Sequence, residues 1–346
     1  MNLFPSAKRV VLAISLIAIS LQLSVAQDRY RLMFYNVENL FDSFKDSLTN
    51  DSEFTPEGTR FWTWNRMNEK VNNIYKVIAA VGEWDPPTMV GFCEIENRFV
   101  LERITYETPL SKYEYRIVHR DSPDGRGIDV GLIYRPDQFT VHEERFFRVS
   151  YPDNPDRATR DVLYARGVLS SDDTLHVFVN HWPSKFGGAL ASEPGRIAAG
   201  KLVRQKVDSI RIFHPNAHIV IMGDFNDTPN SRPLVEGLGA LPPVEPLSPE
   251  GLYNLHQPYE TKGEGTLKFQ GVWETIDMMI VSKSLLNREH GIFTTLDGGK
   301  IFKADFLLEP DTRFVGVIPK RTYIGMRYHG GYSDHLPIYI DLFPNR

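Results

Sequence analysis

The chain has almost no cysteine. Cys93 stands alone among 346 residues, so no intramolecular disulfide framework can form and the fold must rest on an apolar core. It also has no surplus of positive charge: 39 Lys and Arg face 44 Asp and Glu, a net charge of −5. That argues against a protein held on nucleic acid by a basic surface, but not against an enzyme that meets phosphates briefly through a metal. There is no Gly-x-x-x-x-Gly-Lys-Ser/Thr loop and no Gly-x-Ser-x-Gly elbow, which disfavours a nucleotide-driven motor and an esterase of the α/β-hydrolase type. No Cys cluster and no His-Glu-x-x-His helix occurs, which disfavours a zinc protease. No linker rich in Gly, Pro or Ser divides the chain, and no internal repeat is evident. With 42% hydrophobic and 24% charged residues, the composition is that of an ordinary globular protein.

What is present begins with a leader. Lys8 and Arg9 precede an apolar run from Val10 to Val25, then Ser24-Val25-Ala26, then abruptly polar Gln27-Asp28-Arg29. This is the three-part pattern of a secretory signal peptide. The competing reading is an uncleaved anchor, for which a run this short, broken by Gln22, is marginal. Residues 1–26 are therefore expected to be removed after Ala26, and 27–346 to form one catalytic domain exported to the periplasm or medium. Loss of Lys8 and Arg9 takes the net charge from −5 to −7. Cys93, inside an apolar run, reads as a buried structural thiol.

Several β-rich runs end abruptly in polar residues. Tyr30–Tyr35 runs into Asn36-Val37-Glu38-Asn39, Met89–Cys93 into Glu94, Leu175–Val179 into Asn180-His181, and Ile219–Met222 into Gly223-Asp224-Phe225-Asn226. Ile128–Tyr134 alternates and ends at Arg135-Pro136, Ile276–Val281 carries Asp277, and Leu336–Leu342 follows Ser333-Asp334-His335. Each has strand length and β-branched or aromatic enrichment. Met67, Val71, Ile74 and Ile78 keep helical spacing over about Asn65 to Val81,. Ala199, Val203, Val207 and Ile210 do the same, with Ser192 as the expected N-cap and Pro194 in the first turn,. Leu241–Pro249 reads as a surface loop. Strands far outnumber helices, which points to a sheet-rich α/β sandwich with outer helices.

The polar strand ends carry the chemistry, because such ends present groups into a cleft. A carboxylate beside a buried strand is costly unless it is paired or bound to a metal. The set is rich in oxygen donors, which suits Mg²⁺, with Mn²⁺ or Ca²⁺ as alternatives.

Tyr35-Asn36-Val37-Glu38-Asn39, Gly91-Phe92-Cys93-Glu94-Ile95-Glu96-Asn97, Asn180-His181-Trp182, Gly223-Asp224-Phe225-Asn226-Asp227, Thr275-Ile276-Asp277 and Ser333-Asp334-His335-Leu336-Pro337 occur in that order. Together they closely resemble the endonuclease/exonuclease/phosphatase superfamily, whose fold is that of pancreatic-type DNase. The resemblance spans about Arg31 to Leu342. It implies a four-layer α/β sandwich, two mainly antiparallel or mixed sheets packed face to face with helices outside. It also implies a hydrolase of phosphodiester or phosphomonoester bonds that uses a divalent cation.

By that resemblance Glu94 is the main metal ligand, with Asn36 beside it and Asp334 completing the site. Asp224 orients or deprotonates the attacking water, and Asn226 donates to a phosphoryl oxygen. His335 faces the scissile phosphate and is held by Asp277, while His181 is a second histidine able to protonate the leaving group. Met278 stands where many members of the family have a further His. Glu38 and Glu96 read as supporting or surface groups, Asp227 as a turn cap and His119 as solvated. Asp129 is a candidate to orient His181. Arg126, between Gly125 and Gly127, and Lys185, after Trp182, are candidate substrate contacts, and Tyr328–Tyr332 is a candidate rim. The expected substrate is a phosphodiester such as DNA or RNA. The alternatives are a phosphomonoesterase or a phospholipase-like enzyme, and a binding protein whose catalysis has decayed, against which the complete residue set argues.

Overall fold

The apolar alternation along the first strand sets the layering. In the computed structural model, which describes residues 29–345 apart from 152, 153, 155, 156 and 290, β1 (Tyr30–Leu40) is buried on both faces. Leu32 and Phe34 enter one core, and Met33, Tyr35 and Val37 another. Side chains alternate across a strand, so apolar residues on both sides require a layer over each face. The expected leader and its cleavage point at Ala26 lie outside the described residues.

Beside β1 run β2 (Met89–Ile95), parallel to it, then β3 (Arg116–His119) and β4 (Asp129–Tyr134), with β4 antiparallel to β2. A second sheet takes β5 (Phe139–Phe147), β6 (Val162–Leu169), β7 (Thr174–His181), β8 (His218–Asp224), β9 (Ala240–Leu241) and β10 (Leu252–Asn254). A hairpin of β11 (Leu267–Phe269) and β12 (Val272–Glu274) precedes β13 (Asp277–Ser282), which joins the second sheet. The chain then returns to the first sheet with β14 (Ile292–Phe293) and β15 (Lys300–Ile301). Two small hairpins follow, β16 (Leu308–Pro310) with β17 (Val317–Pro319) and β18 (Tyr323–Ile324) with β19 (Arg327–Tyr328). Last comes β20 (Ile338–Pro344), antiparallel beside β1. Both large sheets have seven strands, ordered β14-β20-β1-β2-β4-β3, with β15 also on β20, and β5-β6-β7-β8-β13-β10-β9.

Three apolar clusters define four layers. The middle one joins the sheets: Phe34, Met89, Cys93 and Ile340 from one meet Val177, Val179, Met222 and Met279 from the other. The second fills the space between the first sheet and the helices α1 (Trp64–Gly82) and α2 (Arg98–Tyr106), through Met67, Val71, Ile74, Ile78 and Leu101. The third lies between the second sheet and α3 (Ala189–Phe213), through Ala199, Val203 and Val207. This is the α/β four-layer sandwich that the motif series implies. Thr63 caps α1 by accepting from the Arg66 N–H at 3.4 Å,.

The start of α3 differs from expectation. The helix begins at Ala189 after Gly188, so Pro194 lies inside it and Ser192 is not its cap. The Ser192 hydroxyl instead donates to the Gly188 carbonyl at 2.9 Å and accepts from Arg196 at 2.7 Å. The buried pair of Arg196 with Asp227, 2.8 Å apart, anchors this first turn to the loop after β8. Among the described residues no helix is long and apolar enough to cross a membrane.

One buried histidine ties the fold to pH. His256 Nδ1 accepts from the Met279 N–H at 3.2 Å, and its Nε2 lies 3.2 Å from the Lys300 carbonyl. Both contacts are satisfied only by the neutral ring protonated at Nε2. Burial is the main force against the charged ring, the Lys300 ammonium opposes it too, and the stacked ring of Tyr259 covers one side; the pKa falls to about 4. A depressed histidine pKa means that the unfolded chain takes up its proton first as pH falls, so this contribution is present above the ordinary value and lost toward the folded one. Between about pH 6.5 and 4 the native protein should lose roughly 2 kcal/mol more stability than His256→Gln, as read by urea unfolding. Equal losses would show that His256 does not carry the acid sensitivity.

Candidate active site

The strand pairings explain why distant residues meet. The parallel pairs β1–β2 and β7–β8 place the C-terminal ends of four strands, bearing Asn36, Glu94, His181 and Asp224, on one edge of the sandwich. The antiparallel partners enter there. Asp277, the first residue of β13, pairs with Asp224, and His335 lies just ahead of β20, whose Ile338 pairs with Phe34. Two pairings lose register at this edge, β1 with β2 after Asn36 and β2 with β4 after Cys93. Glu38, Asn39, Glu94 and Asn226 all take left-handed backbone there, at φ 51°, 55°, 60° and 51°. Non-glycine residues pay about 1–2 kcal/mol for that conformation, and bulges of this kind re-aim side chains beside active sites.

The resulting cluster is tightly connected. Asn36 Nδ2 donates to Asp224 Oδ2 at 3.0 Å and Glu94 Oε1 at 3.3 Å, and lies 3.4 Å from His335 Nε2. The Asn39 N–H holds Glu94 Oε2 at 3.0 Å, and the Asn226 N–H holds Asp224 Oδ1 at 2.8 Å. His335 Nδ1 sits 2.7 Å from Asp277 Oδ2, and its Nε2 is 4.0 Å from both Asp224 and Asp334. Ser333 fixes the approach by donating to the Asn36 carbonyl at 2.8 Å and accepting from the His335 N–H at 3.0 Å. His181 Nε2 lies 3.8 Å from Asp224 and 4.0 Å from Glu94.

The two histidines are poised oppositely. Burial works against charge on His335, but the Asp277 carboxylate and its hydrogen bond, helped by Asp224 and Asp334, carry its pKa well above the usual value. Burial holds His181 well below that value, and Arg160, Arg126 and His335 add to the effect. His335 is thus the imidazolium and His181 a neutral ring, which opposes the expected leaving-group acid role of His181. Burial, then the neighbouring Asp277, pushes Asp224 up to about 7.

The expectations for Asp129 and His119 need correction. Asp129 does not orient His181: it lies 3.4 Å from His119 and accepts from the Ser122 N–H at 2.9 Å. The same contact shows that His119 is not solvated, its side chain being 2% exposed. His181 Nδ1 has no hydrogen-bond partner among the described residues. Arg126 is 52% exposed and 3.8 Å from Asp124, with its charge felt at His181. Lys185 lies between Asp227 at 3.6 Å and Glu274 at 3.5 Å, so its charge is already shared. Asn226 turns its amide to the Trp182 carbonyl at 3.1 Å. Cys93 is a buried free thiol whose sulfur lies near His181 and Asp224.

Three basic residues had no motif to mark them. Arg160 reaches from the loop before β6 to Asp124 at 3.1 Å and to the Trp182 carbonyl at 2.7 Å, so it links the Arg126 loop to the His181 strand. Arg321 joins Glu38 at 3.3 Å to Asp334 at 2.6 Å. Lys70 is buried behind Glu38, donating to Thr322 Oγ1 and to the Tyr332 carbonyl at 2.7 Å. Arg160 adjoins the start of an apolar run, a signal of the same kind as the strand-end residues but at the opposite terminus.

The donor set fits a hard cation. Glu94 faces the cleft, and among the described residues neither Lys nor Arg lies within 4.0 Å of it; its one basic neighbour at that limit is His181, held neutral. A carboxylate without a cationic partner beside oxygen donors suits an ion that keeps most of its waters. Asp334 does not share this freedom, being held by Arg321 at 2.6 Å; among the described residues, the trios at this edge whose ligand atoms lie within 4.8 Å of one another are Cys93, His181 and Asp224, and Asp224, Asp277 and His335. Asn36 presents nitrogen rather than oxygen to Glu94, because its Oδ1 accepts from the Glu38 N–H at 2.9 Å.

The chain belongs to the Endonuclease/Exonuclease/phosphatase family, whose model matches residues 31–343. Its members are phosphoester hydrolases. Solved structures share the fold. A family protein from Bacteroides thetaiotaomicron is 16% identical, with TM-score 0.55 over 91% of this chain and 97% of that one. A mannosyl-6-phosphatase from the same organism is 17% identical, with TM-score 0.54 over 90% and 99%. TDP2 of D. rerio, complexed with a single-stranded DNA product, is 15% identical, with TM-score 0.52 over 91% and 99%. No curated protein matches the chain.

Gly223 governs the placement of Asp224. A Cβ there would stand 2.5 Å from the Asn180 carbonyl oxygen and 2.6 Å from Asn180 Cβ on the paired strand. Gly223→Ala must therefore push β7 and β8 apart, and should cost about 1–3 kcal/mol in unfolding experiments. Unchanged stability would show that the two strands yield freely.

Proposed function

We propose that the chain is an exported, divalent-cation-dependent phosphoric ester hydrolase, most simply a phosphodiesterase or endonuclease, with residues 27–346 as one catalytic domain. The observation that carries this reading is the convergence of Asp224, the His335–Asp277 pair, Asn36 and Glu94 within hydrogen-bond reach, from strands of both sheets.

Glu94 and Asp334 would hold Mg²⁺, or Mn²⁺ or Ca²⁺. Asn36 stands beside them and holds Glu94 and Asp224 through its amide N–H groups. The cation would supply charge stabilisation at a phosphoryl oxygen. The chain's own residues do the rest. Asp224 orients the attacking water and draws its proton, fixed for that task by the Asn226 N–H and the Asn36 amide. His335, kept cationic by Asp277, donates from Nε2 to the phosphoryl group as negative charge grows there. Asp277 fixes the orientation of the ring by accepting from Nδ1–H at 2.7 Å,. His181, neutral, offers a hydrogen bond rather than a full proton. Arg126 and Lys185 stand at the rim as substrate contacts. Export is supported by the leader pattern of residues 1–26.

A phosphomonoesterase remains the second reading, because the fold is shared with a mannosyl-6-phosphatase as well as with TDP2 bound to DNA product. A panel of plasmid DNA, RNA, bis-p-nitrophenyl phosphate, p-nitrophenyl phosphate and sphingomyelin with Mg²⁺ or Mn²⁺ separates them. Cleavage of diesters alone is expected; cleavage of monoesters alone would promote the second reading. Asp224→Ala and His335→Ala should each lower kcat at least about 100-fold while the circular dichroism spectrum stays native. Turnover like the wild type in either would end the mechanism. Exhaustive EDTA treatment should abolish activity and added Mg²⁺ or Mn²⁺ restore it; undiminished turnover would remove the cation from the scheme.

A further inference from the structure

A recess of about 280 Å³ opens beside the candidate active site, lined by Glu38, Asn39, Phe54, Arg60, Arg321, Tyr323 and Gly325. Its wall is part of the site's own framework. The Asn39 N–H holds Glu94 and the Glu38 N–H holds Asn36, while Arg321 pairs with Asp334 next to His335. A molecule seated with a phosphoryl group at Asp224 and His335 therefore has this recess as its neighbour.

The recess contains two guanidinium groups with donors to spare. Arg60 is held against the rings of Phe54 and Tyr323, 5.1 and 5.0 Å from their centroids. Its Nη1 donates to the Gly325 carbonyl at 3.1 Å. Its Nε is buried without a hydrogen-bond partner among the described residues, with Glu53 Oε2 3.4 Å away. A buried donor left unmet is uncommon and costly. Arg321 spends Nε on Glu38 and Nη2 on Asp334, and its Nη1 makes no hydrogen bond among the described residues. Planar forks held by packing recognise phosphate in two-pronged fashion and lose little freedom on binding it. Arg60, Arg321 and the buried Lys70 offset Glu38, Glu53 and Asp334, so the recess does not repel a dianion although the chain is acidic overall.

Building on the hydrolase reading, we propose that this recess is a subsite for a second phosphate of the substrate, so that the favoured substrates are phosphoesters carrying a further phosphate. Arg60 and Arg321 bind that group, Phe54 and Tyr323 hold Arg60 in place, and Glu53 competes with the ligand for Arg60.

The test compares p-nitrophenyl thymidine 5′-phosphate with the same ester carrying a 3′-phosphate. The wild type should favour the doubly phosphorylated ester in kcat/KM by about tenfold or more, as for a charge-assisted contact. Arg60→Gln should abolish that preference, and Glu53→Gln, on the exposed turn, should raise it. Calorimetry on the metal-free full chain supplies a readout independent of turnover: thymidine 3′,5′-bisphosphate should bind more tightly than thymidine 5′-monophosphate, and Arg60→Gln should remove the difference. Hydrolysis of both esters at equal efficiency, unmoved by either variant, would overturn the subsite and leave the hydrolase standing. A calorimetric difference lost in Arg60→Gln, without hydrolysis of either ester, would support the subsite and overturn the hydrolase. Should Arg60→Gln fail to fold, an unchanged preference in Glu53→Gln still overturns the proposal.

Discussion

The hydrogen bond between Asp277 and His335 is the interaction on which the site depends. Asp224, Asp277, Glu94 and Asp334 are drawn toward one point, and burial with the neighbouring Asp277 pushes Asp224 up to about 7,. An imidazolium among them is the cheapest compensation the chain contains. Asp277 makes that cation, its Oδ2 bonded to Nδ1 at 2.7 Å, while His335 Nε2 is left facing Asp224 and Asp334. Asp277 Oδ1 has no partner among the described residues, so the pair is balanced by charge rather than by a full set of hydrogen bonds. Removing either member would leave the others as buried like charges, a larger loss than one hydrogen bond.

The backbone shows the same economy. Left-handed residues at Glu38, Asn39, Glu94 and Asn226 gather at the edge where β1, β2 and β8 end. Each unfavourable φ is matched by a local hydrogen bond, such as Asn39 N–H to Glu94 or Asn226 N–H to Asp224. At Glu38, Asn39 and Glu94 the strain sits on strands whose flanks are locked into the core between the sheets, through Phe34 and Cys93; at Asn226 it sits in the turn just beyond β8,.

Much of this was legible in the residues because strands announce their ends. An apolar run that stops at Glu94 or Asp224 marks both the end of a strand and a carboxylate that needs a reason to be there. The helix over Met67 to Ile78 was legible for the same cause, a period matched to one buried face. The start of α3 was not, because Ser192 resembles a cap, yet Gly188 already frees the chain to turn four residues earlier. His119 and Asp129 were misassigned because adjacency across antiparallel strands is invisible in one strand's sequence. Arg160, Arg321, Lys70 and Arg60 belong to the same class. Their roles follow from partners remote in the chain: Arg60, Arg160 and Arg321 lie in irregular stretches, and Lys70 sits on the buried face of α1, where its charge masks the burial.

These basic residues also explain how an acidic chain can act on anions. Arg126 lies by Asp124, Lys185 by Asp227 and Glu274, Arg321 by Glu38 and Asp334, and Arg60 by Glu53. Each cation carries its own carboxylate, so little positive field extends beyond about one Debye length, roughly 8–10 Å in physiological salt. Substrate is then not drawn from a distance, as it would be by a basic groove. On the proposed reading it is selected on contact, by groups whose carboxylate partners can be exchanged for phosphate oxygens. Selection of that kind rewards the number and placement of anionic groups on a small or single-stranded substrate more than the uniform charge of a duplex. The pairing that keeps the cleft nearly neutral is thus also what makes it discriminating.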